Sequence, residues 1–366
     1  MRIESLHLEG FRNIKELRFL PCAGTNVIYG DNAQGKTNLL EAVWLFTGAK
    51  SFRGARDSEY TGFGQERARL QLGFYAGDRT QTASLVYSGE QKSVHLNEIK
   101  QDRIGKLAGE FCTVVFSPDH LSLIKDGPEK RRKMIDTSLC QAYPKYGKIL
   151  DSYEKSLRQR NRLLKDIPCH PSLVDTLDVW DINIMEYGAY ISRMRARYMA
   201  KLASIAGRIY EGISLGKESF TARYQPSFGG SVEGFEKEDY RKALRESIKA
   251  SRSDDIRTGT TGTGPHRDDV GIDVAGVSAR SYGSQGQQRS AILALKLAEC
   301  TILEERSGEP PVVLLDDVMS ELDEHRRSYL LNQLTGRQVL ITCCDAAAFS
   351  DLSGGAVFHM HGGAIV

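Results

Sequence analysis

The sequence contains no long apolar run and no ordered cysteine pattern. No stretch of the 366 residues approaches the ~20 consecutive apolar residues of a membrane helix. The first eight residues alternate in polarity like a β-strand and contain no apolar segment of the kind found in a signal peptide. The seven cysteines are scattered, odd in number and without a C-x-x-C pair, so neither a zinc site nor a disulfide framework is indicated. We therefore expect a cytoplasmic protein with reduced thiols and no membrane association.

The sequence also carries little net charge. Its 49 Lys and Arg residues nearly balance 47 Asp and Glu residues, which gives a formal net charge of +2. A surface that binds nucleic acid would therefore be a local patch and not a property of the whole chain. Hydrophobic residues make up 40% and charged residues 26%, as in ordinary globular proteins, and the length allows one large domain or two.

A glycine-rich segment near the N-terminus has the pattern G-x-x-x-x-G-K-[ST] of a phosphate-binding loop. It consists of Gly30, Asp31, Asn32, Ala33, Gln34, Gly35, Lys36 and Thr37. Residues 26–29 before it read as a buried strand, and residues 38–46 after it as a buried helix. In such a loop the backbone N–H groups and the helix N-terminus bind phosphate, Lys36 reaches the β- and γ-phosphates, and the Thr37 hydroxyl holds Mg²⁺. The pattern predicts a site for a nucleoside triphosphate; the alternative is a glycine-rich turn that contains Gly-Lys-Thr by chance.

Two adjacent carboxylates follow a second apolar strand. Residues 312–315 (VVLL) precede Asp316 and Asp317, which has the form of a Walker B strand. Ligands of open α/β sheets bind at the carboxyl ends of the strands, where the phosphate loop also lies. We expect Asp316 to hold Mg²⁺ through water and Asp317 to polarise the water that attacks the γ-phosphate. The alternative is that the two carboxylates cap the next turn.

A second predicted anion site lies about 30 residues before the carboxylates. Small and hydrogen-bonding residues stand there at the start of a predicted helix, 284–305, and include Ser284, Gln285, Gly286 and Gln287. A single phosphate loop does not need a second such site for its own nucleotide. This segment therefore distinguishes the chain from a simple phosphate-loop kinase.

The pattern of predicted elements divides the chain into three parts. Residues 1–120 look strand-rich, residues 121–253 are mostly helical, and residues 254–366 return to an α/β pattern. The sequence thus predicts an α/β head formed by 1–120 and 254–366, with 121–253 inserted as a helical arm. At ~1.5 Å per residue the longest predicted helix, 173–210, spans about 60 Å, which is short for an extended coiled coil.

Positive charge is concentrated in the first part of the predicted arm. Between residues 129 and 166 there are 11 Lys or Arg residues and 5 Asp or Glu residues, beginning with the run Lys130, Arg131, Arg132 and Lys133. Such a surplus suits the phosphate backbone of DNA. A solvated helix face would have the same composition, and both interpretations stay open.

The order of these segments resembles that of the ABC ATPases, and the particular motifs resemble the RecF family of bacterial recombination and repair proteins. The stretches that carry the resemblance are residues 8–13, 30–38, 116–119, 264–269, 284–289, 315–318 and 320–323. The resemblance extends over essentially the whole chain. It implies an ATPase head related to the chromosome-maintenance (SMC) proteins, ATP-dependent homodimerisation and binding to double-stranded or gapped DNA. It also implies cooperation with RecO and RecR in loading recombinase.

The resemblance also implies roles for individual residues. Arg12 and Asn13 would lie near the nucleotide, and 117–119 would form the Q-loop. Residues 284–288 would form the signature that covers the partner's γ-phosphate, and 320–323 would form the D-loop.

Two features differ from most ABC proteins. The catalytic carboxylate is Asp317 in place of Glu, which suggests slow, weak DNA-stimulated hydrolysis. The switch region 342–345 contains no histidine. His266 is expected to be either a satisfied structural residue or a ligand-facing one. The nucleotide-binding subunit of an ABC transporter is the competing reading, and the missing switch histidine and long insertion argue against it.

Overall fold

The computed structural model describes residues 1–89, 91–345 and 355–366. The chain divides into two compact units. The first unit consists of Met1–Ser122, Gly212–Leu215 and Arg289–Val366, and the second of Leu123–Glu211 and Gly216–Gln288. Among the described residues, no helix has the length and apolar character needed to cross a membrane.

The secondary structure mixes helices and strands throughout. In chain order the strands are β1 (Arg2–Phe11), β2 (Ile14–Phe19), β3 (Thr25–Tyr29), β4 (Ala68–Ala76), β5 (Arg79–Ser88), β6 (Gln91–Leu96), β7 (Ile99–Gln101), β8 (Thr113–Phe116), β9 (Phe220–Gln225), β10 (Asp269–Val274), β11 (Val277–Ser278), β12 (Val312–Asp316), β13 (Val339–Cys343), β14 (Ala356–His361) and β15 (Ala364–Ile365). The helices are α1 (Lys36–Leu45), α2 (Pro118–Leu121), α3 (Pro128–Ala142), α4 (Pro144–Asp166), α5 (Leu177–Ser214), α6 (Lys237–Thr258), α7 (Gln285–Ser307) and α8 (Glu324–Gln333).

Two six-stranded sheets form the first unit. The antiparallel sheet has the order β2-β1-β4-β5-β6-β7, and its central strands alternate between buried apolar and more exposed polar side chains. Leu8, for example, lies opposite Leu17 on one side and Leu70 on the other, and all three are buried. The period-2 pattern of the sequence therefore places one face of this sheet against the core.

The second sheet brings the predicted nucleotide-binding segments to one edge. Its order is β15-β14-β3-β13-β12-β8, and β14, β3, β13, β12 and β8 run parallel. The phosphate loop follows β3, and Asp316 ends β12, so both lie at the carboxyl ends of parallel strands. The residues at 312–315 are fully buried, which explains their continuous apolar run.

Buried arginines join the elements of the second unit. Arg131 of α3, Arg160 of α4 and Arg195 of α5 are almost fully inaccessible to solvent. Each forms an ion pair with an Asp from another element, at 2.7 or 2.8 Å. A buried charge that lost its partner would destabilise the fold strongly, so these pairs are structural.

The second unit extends beyond the predicted arm. It includes residues 254–288, because β10 pairs with β9 along its whole length and Asp269 binds Arg131. The division therefore differs from the predicted return to the head at 254. One predicted bound also differs: the long helix predicted for 173–210 begins at Leu177 and continues to Ser214 as α5.

Candidate nucleotide site

Two glycines allow the phosphate loop to turn between β3 and α1. Gly30 and Gly35 have φ angles of +151° and +109°, in the region that residues with a Cβ rarely adopt. A Cβ on Gly30 would also overlap the carbonyl oxygen of Met360, and a Cβ on Gly35 would lie 2.9 Å from Asn13 Oδ1. The loop therefore needs glycine at both positions for its conformation and for its packing.

Lys36 is the first residue of α1, and its side chain folds back into the loop. Lys36 Nζ donates hydrogen bonds to the carbonyl oxygens of Gly30 at 2.7 Å and Asp31 at 2.9 Å. The residue is only 4% exposed. The ammonium charge is thus held within the turn of the loop, beside the N-terminus of α1, where a polyphosphate would be attracted.

Thr37 connects the phosphate loop to the carboxylates of β12. Its hydroxyl donates to Asp316 Oδ1 at 2.8 Å, although the two residues are 279 positions apart in the chain. Hydroxyl and carboxylate oxygens are ligands that suit Mg²⁺, which is bound in nucleotide sites by one or two protein oxygens together with phosphates and water. The pair therefore fits the expected ion. Among the described residues, no cluster of three or more His, Cys, Asp or Glu residues could hold a metal.

Thr342, near the end of β13, bonds to the carboxylate of Asp316 and to the backbone of Asp317. Its hydroxyl donates to Asp316 Oδ1 at 2.9 Å and accepts the backbone N–H of Asp317 at 3.0 Å. Asp317 has a φ angle of +52°, which is uncommon for a residue with a side chain. Burial raises the pKa of Asp316, while the hydroxyls of Thr37 and Thr342 oppose that shift. The sequence assigns Thr342 only to the predicted switch region, 342–345, although a hydroxyl near the end of a buried strand is a signal for this role.

Arg12 and Asn13 lie in the turn between β1 and β2 and have different contacts. Asn13 Nδ2 donates to the carbonyl of Ala33, within the phosphate loop, at 3.1 Å. Arg12 instead forms a bidentate pair with the buried carboxylate of Glu41 on α1, at 2.9 and 3.0 Å. Its guanidinium also lies over the Tyr60 ring, 5.5 Å from the centroid. Asn13 thus contacts the phosphate loop directly, and Arg12 contacts α1, the helix that follows the loop.

The switch region presents cysteines beside the loop. Cys344 is exposed, and its Sγ lies 3.3 Å from Asn32 Oδ1. Burial raises the pKa of Cys343 to about 11, so this thiol is protonated at neutral pH. In the part of the switch region that the structure describes, the hydrogen-bonding link to the carboxylates is therefore Thr342 and not a thiolate.

The signature segment begins α7 and belongs to the second unit. Ser284 and Gln287 form a reciprocal cap: Gln287 N–H donates to Ser284 Oγ at 3.2 Å, and Ser284 N–H donates to Gln287 Oε1 at 2.8 Å. Gln287 Nε2 also donates to Glu218 at 2.7 Å. Ser284 and Gln285 are exposed and Gly286 is half-buried. The segment is thus a capped helix start with accessible polar groups.

The D-loop is tied to the part of α7 that lies in the first unit. Arg289 donates to the carbonyl and to the carboxylate of Glu321, both at 2.6 Å. Asp323 caps α8 by accepting the backbone N–H of Arg326 at 2.9 Å. In the predicted Q-loop, the Ser117 hydroxyl lies 3.2 Å from His120 Nδ1.

The basic run at the start of α3 does not form one continuous surface. Arg131 is buried, and its donors bind Asp269 and the carbonyls of residues 123, 124 and 126. Arg132 donates to the Asp268 carbonyl at 2.6 Å, and burial together with Arg195 lowers the pKa of its guanidinium. Lys130 pairs with Asp126, and Lys133 is exposed. Arg131 is therefore a structural residue here and does not present its charge to a phosphate.

His266 is a satisfied structural residue in the second unit. Its Nδ1 lies 2.7 Å from the Tyr153 hydroxyl and its Nε2 lies 3.0 Å from the Thr261 carbonyl oxygen. Burial lowers its pKa to about 4, with nearby arginines acting in the same direction. Both ring nitrogens are engaged, which agrees with the structural alternative.

The first unit has the architecture of an ABC-type ATPase head: a phosphate loop after one parallel strand, paired carboxylates after another, and an antiparallel sheet beside them. The family model described as "RecF/RecN/SMC N terminal domain" matches residues 2–360. The chain is 40% identical to the DNA replication and repair protein RecF of Agathobacter rectalis over 344 residues, or 94% of this chain and 92% of that protein. It is 35% identical to the protein of the same name from Clostridioides difficile, covering 100% of this chain and 98% of that one. The chain belongs to the RecF family of DNA replication and repair proteins.

Solved structures agree with this assignment. The chain matches a structure described as the recombination mediator protein RecF-ATPrS in the RecFOR pathway with a TM-score of 0.93 and 37% identity, covering 100% of this chain and 97% of that one. The head domain of Smc from Pyrococcus furiosus matches with a TM-score of 0.53 and 16% identity, covering 99% and 94%. The second likeness shows the shared fold, and together they confirm the predicted α/β ATPase head of SMC type.

Proposed function

We propose that this protein binds Mg-ATP in the phosphate loop and hydrolyses it slowly, as an ATPase of recombinational repair and replication-fork maintenance. The observation that carries the proposal is the 2.8 Å hydrogen bond from Thr37 to Asp316, because it places the loop and the Walker B carboxylate at one site. A turn that contained Gly-Lys-Thr by chance would not be expected to bond to a carboxylate 279 residues away in the sequence. Relatives described as RecF-ATP and RecF-ATPrS support ATP as the nucleotide.

Each residue of the site has a role in this proposal. The N–H groups of residues 30–37 and the Lys36 ammonium bind the phosphates. Thr37 and Asp316 would hold Mg²⁺, which supplies neutralising charge to the phosphate oxygens when bound. Asp317 orients the attacking water and accepts its proton, and the Thr342 hydroxyl fixes Asp317 through its backbone N–H. Because Asp reaches less far than Glu, we expect a low turnover rate.

We further propose that ATP joins two copies of the chain, with the signature of each copy covering the nucleotide of the other. Ser284 and Gln285 support this idea, because they are exposed at a capped helix N-terminus that could meet an incoming phosphate. Gly286 and Gln287 complete the segment. ADP lacks the γ-phosphate that the signature would bind, so it should not promote the dimer.

The proposed DNA contact lies mainly on α4, within the helical arm assigned to 121–253. Lys148, Lys155 and Arg162 are all exposed and recur every seven residues, so they share one face of this helix. Successive members are about 10 Å apart along the axis. A stripe of this kind can follow the phosphates of duplex or gapped DNA without reading its sequence. In the basic run 130–133 at the start of α3, Lys130, Arg132 and Lys133 are also candidates for DNA contacts.

A matched pair of double variants tests this surface. Lys148→Ala with Lys155→Ala removes two charges from the stripe, and Lys242→Ala with Lys249→Ala removes two exposed charges, also seven residues apart, from α6. The first variant should bind duplex DNA more weakly at all sequences and reduce the log–log salt slope by up to about 1.8. If the two double variants change DNA affinity and salt slope equally, the basic residues of α4 form only a solvated helix face.

Stimulation of the ATPase by DNA tests the whole proposal. Addition of duplex or gapped DNA should raise the rate of the wild-type protein, and Asp317→Asn should lower both the basal and the stimulated rates about a hundredfold or more. Since a relative is described as part of the RecFOR pathway, we propose RecO and RecR as partners that act with this protein in loading recombinase. A wild-type protein that hydrolyses ATP at a rate independent of DNA would contradict the DNA-linked function.

A further inference from the structure

The turn between the last two strands of the chain, β14 and β15, contacts the phosphate loop. None of the residues of this turn has a role in the function proposed so far. The backbone N–H of Gly362 donates to Gln34 Oε1 at 2.6 Å, and the N–H of Gly363 donates to the Gln34 carbonyl oxygen at 3.0 Å. Strand β14 runs parallel to β3, so the turn after β14 reaches the same edge of the sheet as the loop after β3. Gln34 is therefore held through both its side chain and its backbone.

The packing around this turn is close. A Cβ on Gly363 would lie 2.6 Å from the Asn13 carbonyl oxygen, and the φ angle of Gly363 is +83°. Asn13 in turn donates to Ala33 at 3.1 Å. Two separate turns, at residues 12–13 and 362–363, thus fix the neighbouring loop residues Ala33 and Gln34.

Ala33 is a place where the loop needs such support. Its φ angle is +64°, a left-handed conformation that is unfavourable for an L-residue. A loop that binds phosphate through its backbone N–H groups gains affinity when these groups already point inward before the ligand arrives. Hydrogen bonds to the Ala33 carbonyl and to both acceptors of Gln34 restrain the loop at this strained position.

We propose that the β14–β15 turn is a positioning element of the nucleotide site, and that Gln34 and Gly363 are positioning residues that set the affinity for ATP. This inference rests on the proposed ATP-binding function. The turn donates hydrogen bonds to the phosphate loop, whereas Thr342 bonds to the Asp316 carboxylate and the Asp317 backbone N–H. Disturbing the turn should therefore weaken binding and raise KM, with little effect on turnover at saturating ATP.

Gly363→Ala and Gly336→Ala form a matched pair for the test. Gly336 has a φ angle of +81°, so alanine meets the same backbone strain there, but its Cβ would have no atom within 4 Å. Gly363→Ala should lose more thermal stability without nucleotide than Gly336→Ala, because its Cβ would also lie 2.6 Å from the Asn13 carbonyl oxygen. Gly363→Ala should bind Mg-ATP about tenfold more weakly, and Gly336→Ala should bind like the wild type. Gln34→Ala, which loses only the bond from Gly362, should weaken binding by roughly three- to tenfold.

Equilibrium titration with Mg-ATP, steady-state kinetics and melting curves separate the outcomes. Wild-type protein that binds no ATP would refute the proposed function itself. Wild-type protein that binds ATP, together with Gly363→Ala and Gln34→Ala variants that bind it equally well, would overturn the positioning role alone. A fall in turnover with unchanged KM would also overturn it. If Gly363→Ala melts far below Gly336→Ala, the Gln34→Ala variant decides the question.

Discussion

Replacing Thr342 by Val should slow ATP hydrolysis while leaving the fold largely intact. Valine has nearly the shape of threonine, so the fully buried site keeps its packing. The change removes the hydroxyl that donates to Asp316 at 2.9 Å and accepts from Asp317 N–H at 3.0 Å. A single substitution therefore removes one hydrogen bond from the Asp316 carboxylate and one from the Asp317 backbone N–H.

The structure gives the size of the expected effect. A hydrogen bond to a charged group contributes about 1.5–3 kcal/mol, and an unpaired buried N–H costs about 1–3 kcal/mol. If the loss of these two hydrogen bonds removes roughly 1.5–3 kcal/mol of transition-state stabilisation, turnover falls about tenfold to a hundredfold. Thr342→Ser retains the hydroxyl and should stay within about threefold of the wild type.

The pH dependence adds a measurement that a packing defect alone would not change. The Thr342 hydroxyl opposes the upward effect of burial on the pKa of Asp316, so its loss should raise that pKa further. Metal binding needs the ionised carboxylate, and the acidic limb of the rate profile should therefore move to higher pH in Thr342→Val. Single-turnover and steady-state rates across pH test this. Wild-type rates, or equal losses in the valine and serine variants, would refute the role of the hydroxyl.

Two further predictions follow from individual side chains. Asp316→Ala should weaken Mg-ATP binding, whereas Asp317→Asn should keep binding and lower turnover about a hundredfold or more. Titration with Mg-ATP and ATPase assays measure the two effects. Equal behaviour of the two variants in both assays would refute the separate roles of the carboxylates. The pKa of His266 is about 4 against an ordinary 6.5, so the unfolded chain binds the extra proton between these values and stability falls as pH falls through that window, by up to about 1.4 kcal/mol per unit. His266→Gln should flatten this slope in pH-dependent melting, and exposed His170→Gln should not.

The phosphate loop could be predicted from sequence because its chemistry lies in eight consecutive residues. The flanking strand and helix had clear apolar patterns, and the structure places them as expected at β3 and α1. Asp316 and Asp317 were accessible to the same reasoning, since they directly follow a continuous apolar run. The residues of each segment and their immediate neighbours were therefore sufficient to predict its role.

The links between segments could not be predicted from sequence in the same way. Thr342 reaches Asp316 because β12 and β13 are parallel neighbours, and Gly363 reaches Gln34 because β14 lies beside β3. Strand order is a property of the folded sheet and leaves no local pattern.

Arg131 shows the limit of counting charges. In the sequence it belongs to a run of four cations, but its partner Asp269 lies 138 residues away. Burial with that partner changes its role from a candidate DNA contact to a structural ion pair. The same long-range pairing places residues 254–288 with the second unit.

Sedimentation analysis with different nucleotides tests the central claim most directly. The 40.7 kDa chain should be monomeric alone and with Mg-ADP, and should double in mass with Mg-ATP. Ser284→Arg should bind Mg-ATP as a monomer without dimerising, because it places a bulky side chain where the partner's γ-phosphate would meet the signature. A wild-type protein that binds Mg-ATP but keeps its monomer mass, or a Ser284→Arg protein that dimerises normally, would contradict a nucleotide site completed by two copies of the chain.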